Sequence, residues 1–152
     1  TRFSVYLPQH DAPAAPHEAP APSPAQTTVR AMVVDDERVV GRVTASLLRS
    51  LGHEVTLCVD ADEALERYRA NPQAFDLLLV DLQMPKRSGR ELLAQMREID
   101  ADFEAIVITG HSYDGEAKRA IAEGARCVVA KPYGLAELSA ALERTLGSRS
   151  PV

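Results

Sequence analysis

The sequence has no tryptophan, little aromatic content and no long hydrophobic run. No apolar stretch approaches the length of about 18 residues that a membrane-spanning helix needs, so we expect no direct membrane contact by this segment. Lysine and arginine number 17 against 22 aspartate and glutamate residues, the formal net charge is −5, and no basic cluster stands out. Because nucleic-acid-binding surfaces are usually basic, the sequence predicts no nucleic-acid partner.

Cysteine is scarce as well, with Cys58 and Cys127 the only two, each inside or beside an apolar run. This placement favours a pair of buried thiols in a reducing compartment over a metal site or a disulfide. The chain begins at Thr1 without a basic and apolar leader, which is typical of a segment of a longer, cytoplasmic protein rather than of a processed secreted one.

The composition divides the chain into parts of different character. These are a lone strand pattern at 1–8, an Ala/Pro-rich linker at 9–27, a globular domain at 28–147 and a tail at 148–152. In the first part Phe3, Val5 and Leu7 alternate with other residues, as in one strand at the edge of a preceding domain. Prolines recur through the linker, which predicts an extended, solvated polyproline II segment.

Within the globular part, short apolar runs rich in valine and isoleucine alternate with helical patterns. Strands are predicted at 29–34, 54–58, 76–80, 104–108 and 126–130. Helical patterns run over 39–51, 61–68, 92–99, 114–123 and 135–146. Strict alternation of strand and helix predicts an α/β fold in which a doubly wound, five-stranded parallel sheet carries helices on both faces.

The starts of two predicted helices carry a specific signal. Asp60 and Ser88 are each followed three residues later by a glutamate, Glu63 and Glu91, which is the pattern of a capping box. Gly52 stands where the first helix is expected to end.

Polar residues follow four of the five predicted strands. Asp35 and Asp36 follow the first strand, Asp81 the third, Thr109 the fourth and Lys131 the fifth. In an open α/β sheet, ligands bind beyond the carboxyl ends of the strands, so we expect these side chains to converge on one edge. Three carboxylates together favour a divalent cation, and a lysine and a hydroxyl beside them suit a phosphoryl group.

Further short patterns accompany these residues. They are D-L-Q-M-P at 81–85 with Gly89 after it, Gly110 after the fourth strand and Pro132 after the fifth. With the acidic pair, they make the region 29–147 resemble the receiver domain of two-component response regulators. The resemblance implies the CheY-like fold of that family, a flavodoxin-like (βα)5 sheet. It also implies a phosphoacceptor that is not an enzyme in its own right beyond its own phosphorylation and dephosphorylation.

The resemblance assigns a role to three of the strand-end residues. Asp81 would be the nucleophile that takes a phosphoryl group from a phosphohistidine and becomes an acyl phosphate. Lys131 would pair with Asp81 at rest and with a phosphoryl oxygen afterwards. Thr109 would donate its hydroxyl to the phosphoryl group and so draw the loop after the fourth strand inward.

The same resemblance implies Mg²⁺ as the cofactor. A carboxylate that attacks an anionic phosphoryl group meets charge repulsion, which a metal ion screens. Asp36 and Asp81 would be direct ligands, the backbone carbonyl of Gln83 would be a third, and Asp35 would act partly through water.

Three more positions are identified by the family pattern. Gln83 and His111 occupy positions at which family members tune dephosphorylation. Val128 occupies the switch position, where the family often has an aromatic residue that moves inward with the threonine, and Tyr133 lies on the other side of the lysine. The Thr–aromatic coupling is therefore replaced or absent, and the signal would travel through strand four and helix four.

Each of these residues also has an ordinary structural interpretation. One of the acidic pair could cap the first helix, Asp81 could be a turn residue and Thr109 a plain strand-end hydroxyl. Lys131 could be a solvated surface residue and His111 an exposed loop residue. The conjunction of all the strand-end residues in order favours the functional interpretation, except at His111, where neither is preferred.

The parts outside the domain suggest a context. The segment at 1–8 resembles the last strand of the ATP-binding domain of histidine kinases, so the chain is interpreted as the C-terminal receiver of a hybrid sensor histidine kinase, which could itself be attached to a membrane. The expected partner is a histidine kinase or a histidine phosphotransfer domain, docking near the first helix, around 38–48. Dimerisation is left open, with helix four and strand five as the usual dimer face in relatives.

Proteins of other classes share parts of this pattern. A phosphatase of the haloacid-dehalogenase type also uses an aspartate, Mg²⁺ and lysine, but it needs D-x-D after the first strand, where 35–37 read D-D-E. A pseudo-receiver or phosphate sink would serve as a binding module, and a single-domain response regulator would lack the kinase context.

Overall fold

The computed structural model describes residues 28–110 and 114–147. The predicted strand at 1–8, the linker at 9–27, His111 and the tail at 148–152 lie outside the described residues. Strands and helices alternate along the described chain. The strands are β1 (Arg30–Val34), β2 (Glu54–Cys58), β3 (Leu77–Asp81), β4 (Glu104–Thr109) and β5 (Cys127–Ala130). The helices are α1 (Arg38–Ser50), α2 (Ala61–Ala70), α3 (Gly89–Ile99), α4 (Asp114–Ala122) and α5 (Leu135–Leu146), with a 3₁₀ turn at Pro72–Ala74.

The predicted parallel sheet is confirmed. The order of the strands is β2-β1-β3-β4-β5, and every pair is parallel. The predicted strand bounds hold to within one residue, but β3 and β4 each extend one residue further than predicted. Asp81 is in register with Ile108 and Thr109 with Ala130, so these two polar residues end the ladder instead of following it.

Side chains of alternating direction fill a core on each face of the sheet. Met32 and Val34 of β1 belong to the core that α2, α3 and α4 cover, and Ala31 and Val33 belong to the core under α1 and α5. β3 is buried along its whole length. A central parallel strand has helices on both sides, which explains its continuous run of apolar residues.

Both cysteines are buried and free, as predicted. Burial raises the pKa of the Cys58 thiol to about 12, so this group is neutral and unreactive at physiological pH. None of the helices within 28–110 and 114–147 has the length and the apolar character that crossing a membrane requires.

The predicted helix caps are partly confirmed. Ser88 and Glu91 form the complete capping box of α3. Asp60 accepts a hydrogen bond from the Glu63 amide at 2.8 Å, but the Glu63 carboxylate accepts from the Val59 amide, one residue before the cap. The capping box predicted at Asp60 is therefore wrong in its second half, because both oxygens of Glu63 are engaged elsewhere, one by the Val59 amide and the other by Arg67 on the next turn of α2.

Candidate functional site

The carboxyl ends of β1, β3, β4 and β5 bring the predicted residues to one edge of the sheet. β1 and β3 are neighbours in the sheet. The chain continues from β1 to β2 on one side and from β3 to β4 on the other, so the carboxyl ends of β1 and β3 form a topological switch point. Asp35 follows β1 directly, Asp81 and Thr109 end β3 and β4, and Lys131 follows β5. Residues from distant parts of the chain therefore meet here because the strands are parallel and adjacent.

Three carboxylates form the acidic part of the site. Oxygen atoms of Asp35, Asp36 and Asp81 lie within 4.8 Å of one another. The exposed fraction is 1% for Asp35 and 4% for Asp81, while Asp36 is partly exposed. Oxygen ligands with one side open to solvent suit a hard divalent cation that keeps part of its water shell.

Lys131 is the cation of the site. Its Nζ lies 2.6 Å from Asp81 Oδ2 and 3.2 Å from Asp35 Oδ2, with Glu37 Oε1 at 3.8 Å. Burial acts to lower the pKa of Lys131, but the hydrogen bond to Asp81 and the charge of Asp35 outweigh it, and the pKa is raised. The ammonium therefore stays charged, and a single positive charge faces three carboxylates.

Asp35 is held from two sides. Its Oδ2 accepts from Lys131 and its Oδ1 accepts from the Glu37 amide at 2.9 Å. Burial raises the pKa of this carboxyl, against the opposing effect of Lys131. Helix α1 begins at Arg38 with Glu37 as its N-cap and without a side-chain cap, so Asp35 does not serve as the helix cap that its position also allowed.

The loop after Asp81 is shaped around the strand end. Asp81 Oδ1 accepts from the Gln83 amide at 3.0 Å, so both of its carboxylate oxygens are engaged within the protein. At Gly89, the first residue of α3, an added Cβ would overlap the backbone carbonyl oxygen of Asp81. Only glycine lets α3 approach the end of β3 this closely. Asp81 is thus a strand residue in a tight site and not a plain turn residue.

Of the remaining predicted residues, the structure describes Thr109, Gln83 and Val128. Thr109 is buried, and its carbonyl oxygen accepts from the Lys131 amide at 2.8 Å, which joins β4 to the loop after β5. Gln83 is exposed, and a Cβ added to Gly110 would lie 3.8 Å from its Oε1. Val128 is half-buried and packs against the core under α2, α3 and α4. His111 lies outside the described residues.

Two features of the site were not predicted. Glu37 adds a fourth acid to the site, with its Oε1 3.8 Å from Lys131 Nζ, and the D-D-E run of the sequence was a signal that could have revealed it. Tyr133 Oη lies 2.6 Å from Thr44 Oγ1 on α1. No local pattern marks that contact, because the two residues are 89 positions apart in the chain.

Comparisons with known proteins identify the family of the globular domain. A family model for the response regulator receiver domain matches residues 31–143. A response regulator receiver protein of Anaeromyxobacter sp. (strain Fw109-5) is 38% identical over 106 residues, which make up 70% of this chain and 44% of the relative. The chemotaxis protein CheY of Treponema pallidum (strain Nichols) is 32% identical over 68% of this chain and 72% of its own length.

Solved structures of receiver domains share the fold of this domain. The crystal structure of a response regulator receiver domain protein from Clostridium thermocellum matches with a TM-score of 0.75 at 29% identity, covering 80% of this chain and 96% of that one. Several relatives are much longer than the matched region. The chain spans 44% of the Anaeromyxobacter protein and 24% of the DNA-binding transcriptional regulator NtrC of Azospirillum brasilense. The likeness therefore concerns the globular domain.

Proposed function

The chain belongs to the response regulator receiver family of two-component systems, and from this premise we propose that Asp81 is its phosphoryl acceptor. The observation that carries the proposal is the contact of 2.6 Å between the nearly buried Asp81 and Lys131, with two more carboxylates beside it. Crowding further acids around a buried ion pair costs electrostatic energy that a purely structural pair does not require. The crowding is explained if the site binds a cation and a phosphoryl group.

In the proposed reaction, a carboxylate oxygen of Asp81 attacks the phosphorus of a phosphohistidine. The P–O bond forms, the P–N bond breaks, and the leaving imidazole takes a proton from solvent water, so that Asp81 becomes an acyl phosphate. Lys131 then moves from the Asp81 carboxylate to a phosphoryl oxygen, and the Thr109 hydroxyl donates to another. The new charge biases the loop after β4 between two positions.

The side chains of the site fit Mg²⁺. The three aspartates offer hard oxygen ligands within 4.8 Å of one another, and one lysine leaves their charge only partly neutralised. We propose Asp36, Asp81 and the backbone carbonyl of Gln83 as direct ligands, with Asp35 acting partly through water. When bound, Mg²⁺ screens the repulsion between the Asp81 carboxylate and the anionic phosphoryl group.

The proposed donor is a histidine kinase or a histidine phosphotransfer domain, and helix α1 is its proposed docking face. Val39 and Val43 are 70% and 52% exposed on this helix, which starts directly beside the acidic cluster. Exposed apolar side chains on one helix face are typical of a protein-binding surface. A donor helix on this face would bring its phosphohistidine to Asp81.

The parent protein is proposed to be a hybrid histidine kinase located in the cytoplasm or attached to a membrane from that side. Support comes from the sequence at 1–8 and the proline-rich stretch at 9–27. The absence of a nucleic-acid partner is proposed for this segment alone, since one longer relative carries DNA binding in its name. A single-domain regulator is the main alternative, because the chain covers 72% of the CheY relative. The family match leaves no ground for the haloacid-dehalogenase interpretation.

The test is the intact mass of the chain after incubation with acetyl phosphate and Mg²⁺. We expect a gain of one phosphoryl group that requires Mg²⁺ and is lost in Asp81→Asn. The matched control is Asp102→Asn. Asp102 is an exposed aspartate in the loop before β4, at the amino ends of the strands, and its variant should still gain the phosphoryl group. A gain that survives Asp81→Asn would identify a different nucleophile. No gain with acetyl phosphate, and none with a panel of phosphorylated phosphotransfer domains, would indicate a pseudo-receiver.

A further inference from the structure

A pair of hydroxyl groups joins the loop after β5 to helix α1. Tyr133 Oη and Thr44 Oγ1 are 2.6 Å apart. Thr44 is fully buried, and Tyr133 is half-buried with its ring packed against the core under α1 and α5. A short bond in such surroundings is shielded from competing water, which makes it a more rigid link than an exposed one.

The direction of this hydrogen bond follows from the second partner of Thr44. Thr44 Oγ1 lies 3.0 Å from the carbonyl oxygen of Val40, to which it donates. A hydroxyl has a single hydrogen, so Thr44 must accept from Tyr133. Burial raises the pKa of the Tyr133 hydroxyl above its ordinary value, which keeps it protonated as the donor. The backbone of α1 is thus the final acceptor of a chain that begins at Tyr133.

This link closes a ring of contacts around the active-site lysine. The Lys131 amide donates to Thr109 of β4, and two residues later Tyr133 is bound to α1. Helix α1 also lies close to Asp35, the second carboxylate bound by Lys131. A Cβ added to Gly41 of this helix would lie 3.4 Å from the Cβ of Asp35. The segment 131–133 is therefore anchored to β4 at one end and to α1 at the other.

We propose that Tyr133 is a positioning residue for phosphoryl transfer, which holds Lys131 in register with Asp81 and Asp35 by tethering the loop after β5 to Thr44. Tyr133 acts through Lys131 and does not touch the phosphoryl group. The proposal rests on the proposed function of Asp81. It connects the loop that carries the lysine to helix α1, on the side of the sheet opposite the switch position at Val128.

The test compares Tyr133→Phe, Thr44→Val and the double variant in a time course of acetyl phosphate labelling at saturating Mg²⁺. Each single variant should lower the labelling rate constant at saturating acetyl phosphate by roughly three- to tenfold, the range that one neutral hydrogen bond is worth. The half-saturating concentration should stay unchanged. The double variant should be no slower than the slower single variant, because both remove the same bond. Thr44→Ser keeps the hydroxyl and should label at the wild-type rate.

Single variants that label at the wild-type rate would overturn the proposal, and so would a double variant whose loss is the product of the two single losses. A wild-type chain that takes no phosphoryl group contradicts the function of Asp81 and not the tether. In that case the tether is tested by urea unfolding of Tyr133→Phe, Lys131→Met and their combination. If Tyr133 positions Lys131, the loss of stability from Lys131→Met is smaller in the Tyr133→Phe background, and equal losses in both backgrounds overturn the proposal.

Discussion

Lys131 Nζ lies 2.6 Å from Asp81 Oδ2, and this contact links the end of β3 to the residue that follows β5. The lysine side chain is only 18% exposed, and the same ammonium lies 3.2 Å from Asp35. One partly buried cation therefore stabilises two buried carboxylates. Removing one partner from such a group lowers the free energy of unfolding by more than the ion pair contributes to it, because the remaining charges stay buried without a partner.

Lys131→Met should destabilise the chain by about 3 kcal/mol at neutral pH. Without the ammonium the pKa of Asp35 rises further, because Lys131 no longer opposes the effect of burial, so the loss should shrink as the pH falls and this carboxyl takes up a proton. Urea unfolding in the presence of EDTA measures it. Lys118→Met, which changes an exposed lysine on α4, is the matched control and should cost little. Equal losses for the two variants would mean that Lys131 is not electrostatically coupled to the acids.

Mg²⁺ should raise the unfolding temperature of the chain, because a ligand that binds the folded state stabilises it by mass action. At about 100 times its dissociation constant, the expected gain is about 2.7 kcal/mol. Asp36→Asn should remove most of this gain without preventing folding, since Asp36 is only partly buried. Asp102→Asn should retain the gain, and a gain that persists in Asp36→Asn would place the cation elsewhere.

Gly89→Ala should lower stability by about 1–3 kcal/mol and weaken phosphorylation, because the new Cβ overlaps the Asp81 carbonyl oxygen and pushes α3 from the strand end. Gly115→Ala is the matched control on α4, where a Cβ meets nothing within 4 Å. That change should be neutral or stabilise the helix by up to about 1 kcal/mol. Thermal unfolding and labelling by acetyl phosphate measure both effects. A Gly89→Ala chain as stable and as active as the wild type would contradict the close approach.

Tyr68→Phe should be neutral or stabilising. The Tyr68 hydroxyl is buried and has no hydrogen-bond partner among the described residues, while its ring lies 4.6 Å, centroid to centroid, from Phe103. The phenylalanine keeps the ring contact and removes a buried donor whose desolvation costs about 1–3 kcal/mol. Urea unfolding at neutral pH measures the change. A clear loss of stability would mean that the hydroxyl has a partner.

The same hydroxyl predicts a dependence on alkaline pH. Burial raises the pKa of Tyr68 to about 12 from 10.0, and that of Cys58 to about 12 from 9.0. At a pH between the ordinary pKa and the raised pKa of either group, the unfolded chain loses that proton while the folded chain keeps it. The free energy of unfolding must therefore fall as the pH rises from 9 to 12. In Tyr68→Phe the part of this fall above pH 10 should be smaller. An unchanged profile would mean that Tyr68 titrates normally.

The convergence of the site could be predicted because it depends on few physical rules. Short apolar runs that alternate with helical patterns give a parallel sheet, and residues at the carboxyl ends of its neighbouring strands must meet. Asp35, Asp81, Thr109 and Lys131 each occupy such an end. Their positions therefore followed from the sequence, whereas their roles in phosphoryl transfer remain predictions.

Other features depend on distances that no pattern encodes. The Tyr133–Thr44 bond requires the lateral placement of α1 against the loop after β5, which is set by packing of the whole face. The second half of the capping box predicted at Asp60 is absent because the Glu63 carboxylate binds the Val59 amide and Arg67 instead. The helical spacing of Tyr68 predicts an aromatic residue in the core. Only the structure reveals that its hydroxyl has no hydrogen-bond partner among the described residues.

The most direct measurement locates the phosphoryl group within the chain. The chain is labelled with acetyl phosphate and Mg²⁺, treated with borohydride to reduce any acyl phosphate to homoserine, and mapped by peptide mass spectrometry. We predict homoserine at position 81 and unmodified aspartate at 35, 36 and 102. Homoserine at 35 or 36, or a labelled chain without any reduced aspartate, would contradict the assignment of Asp81 as the phosphoryl acceptor.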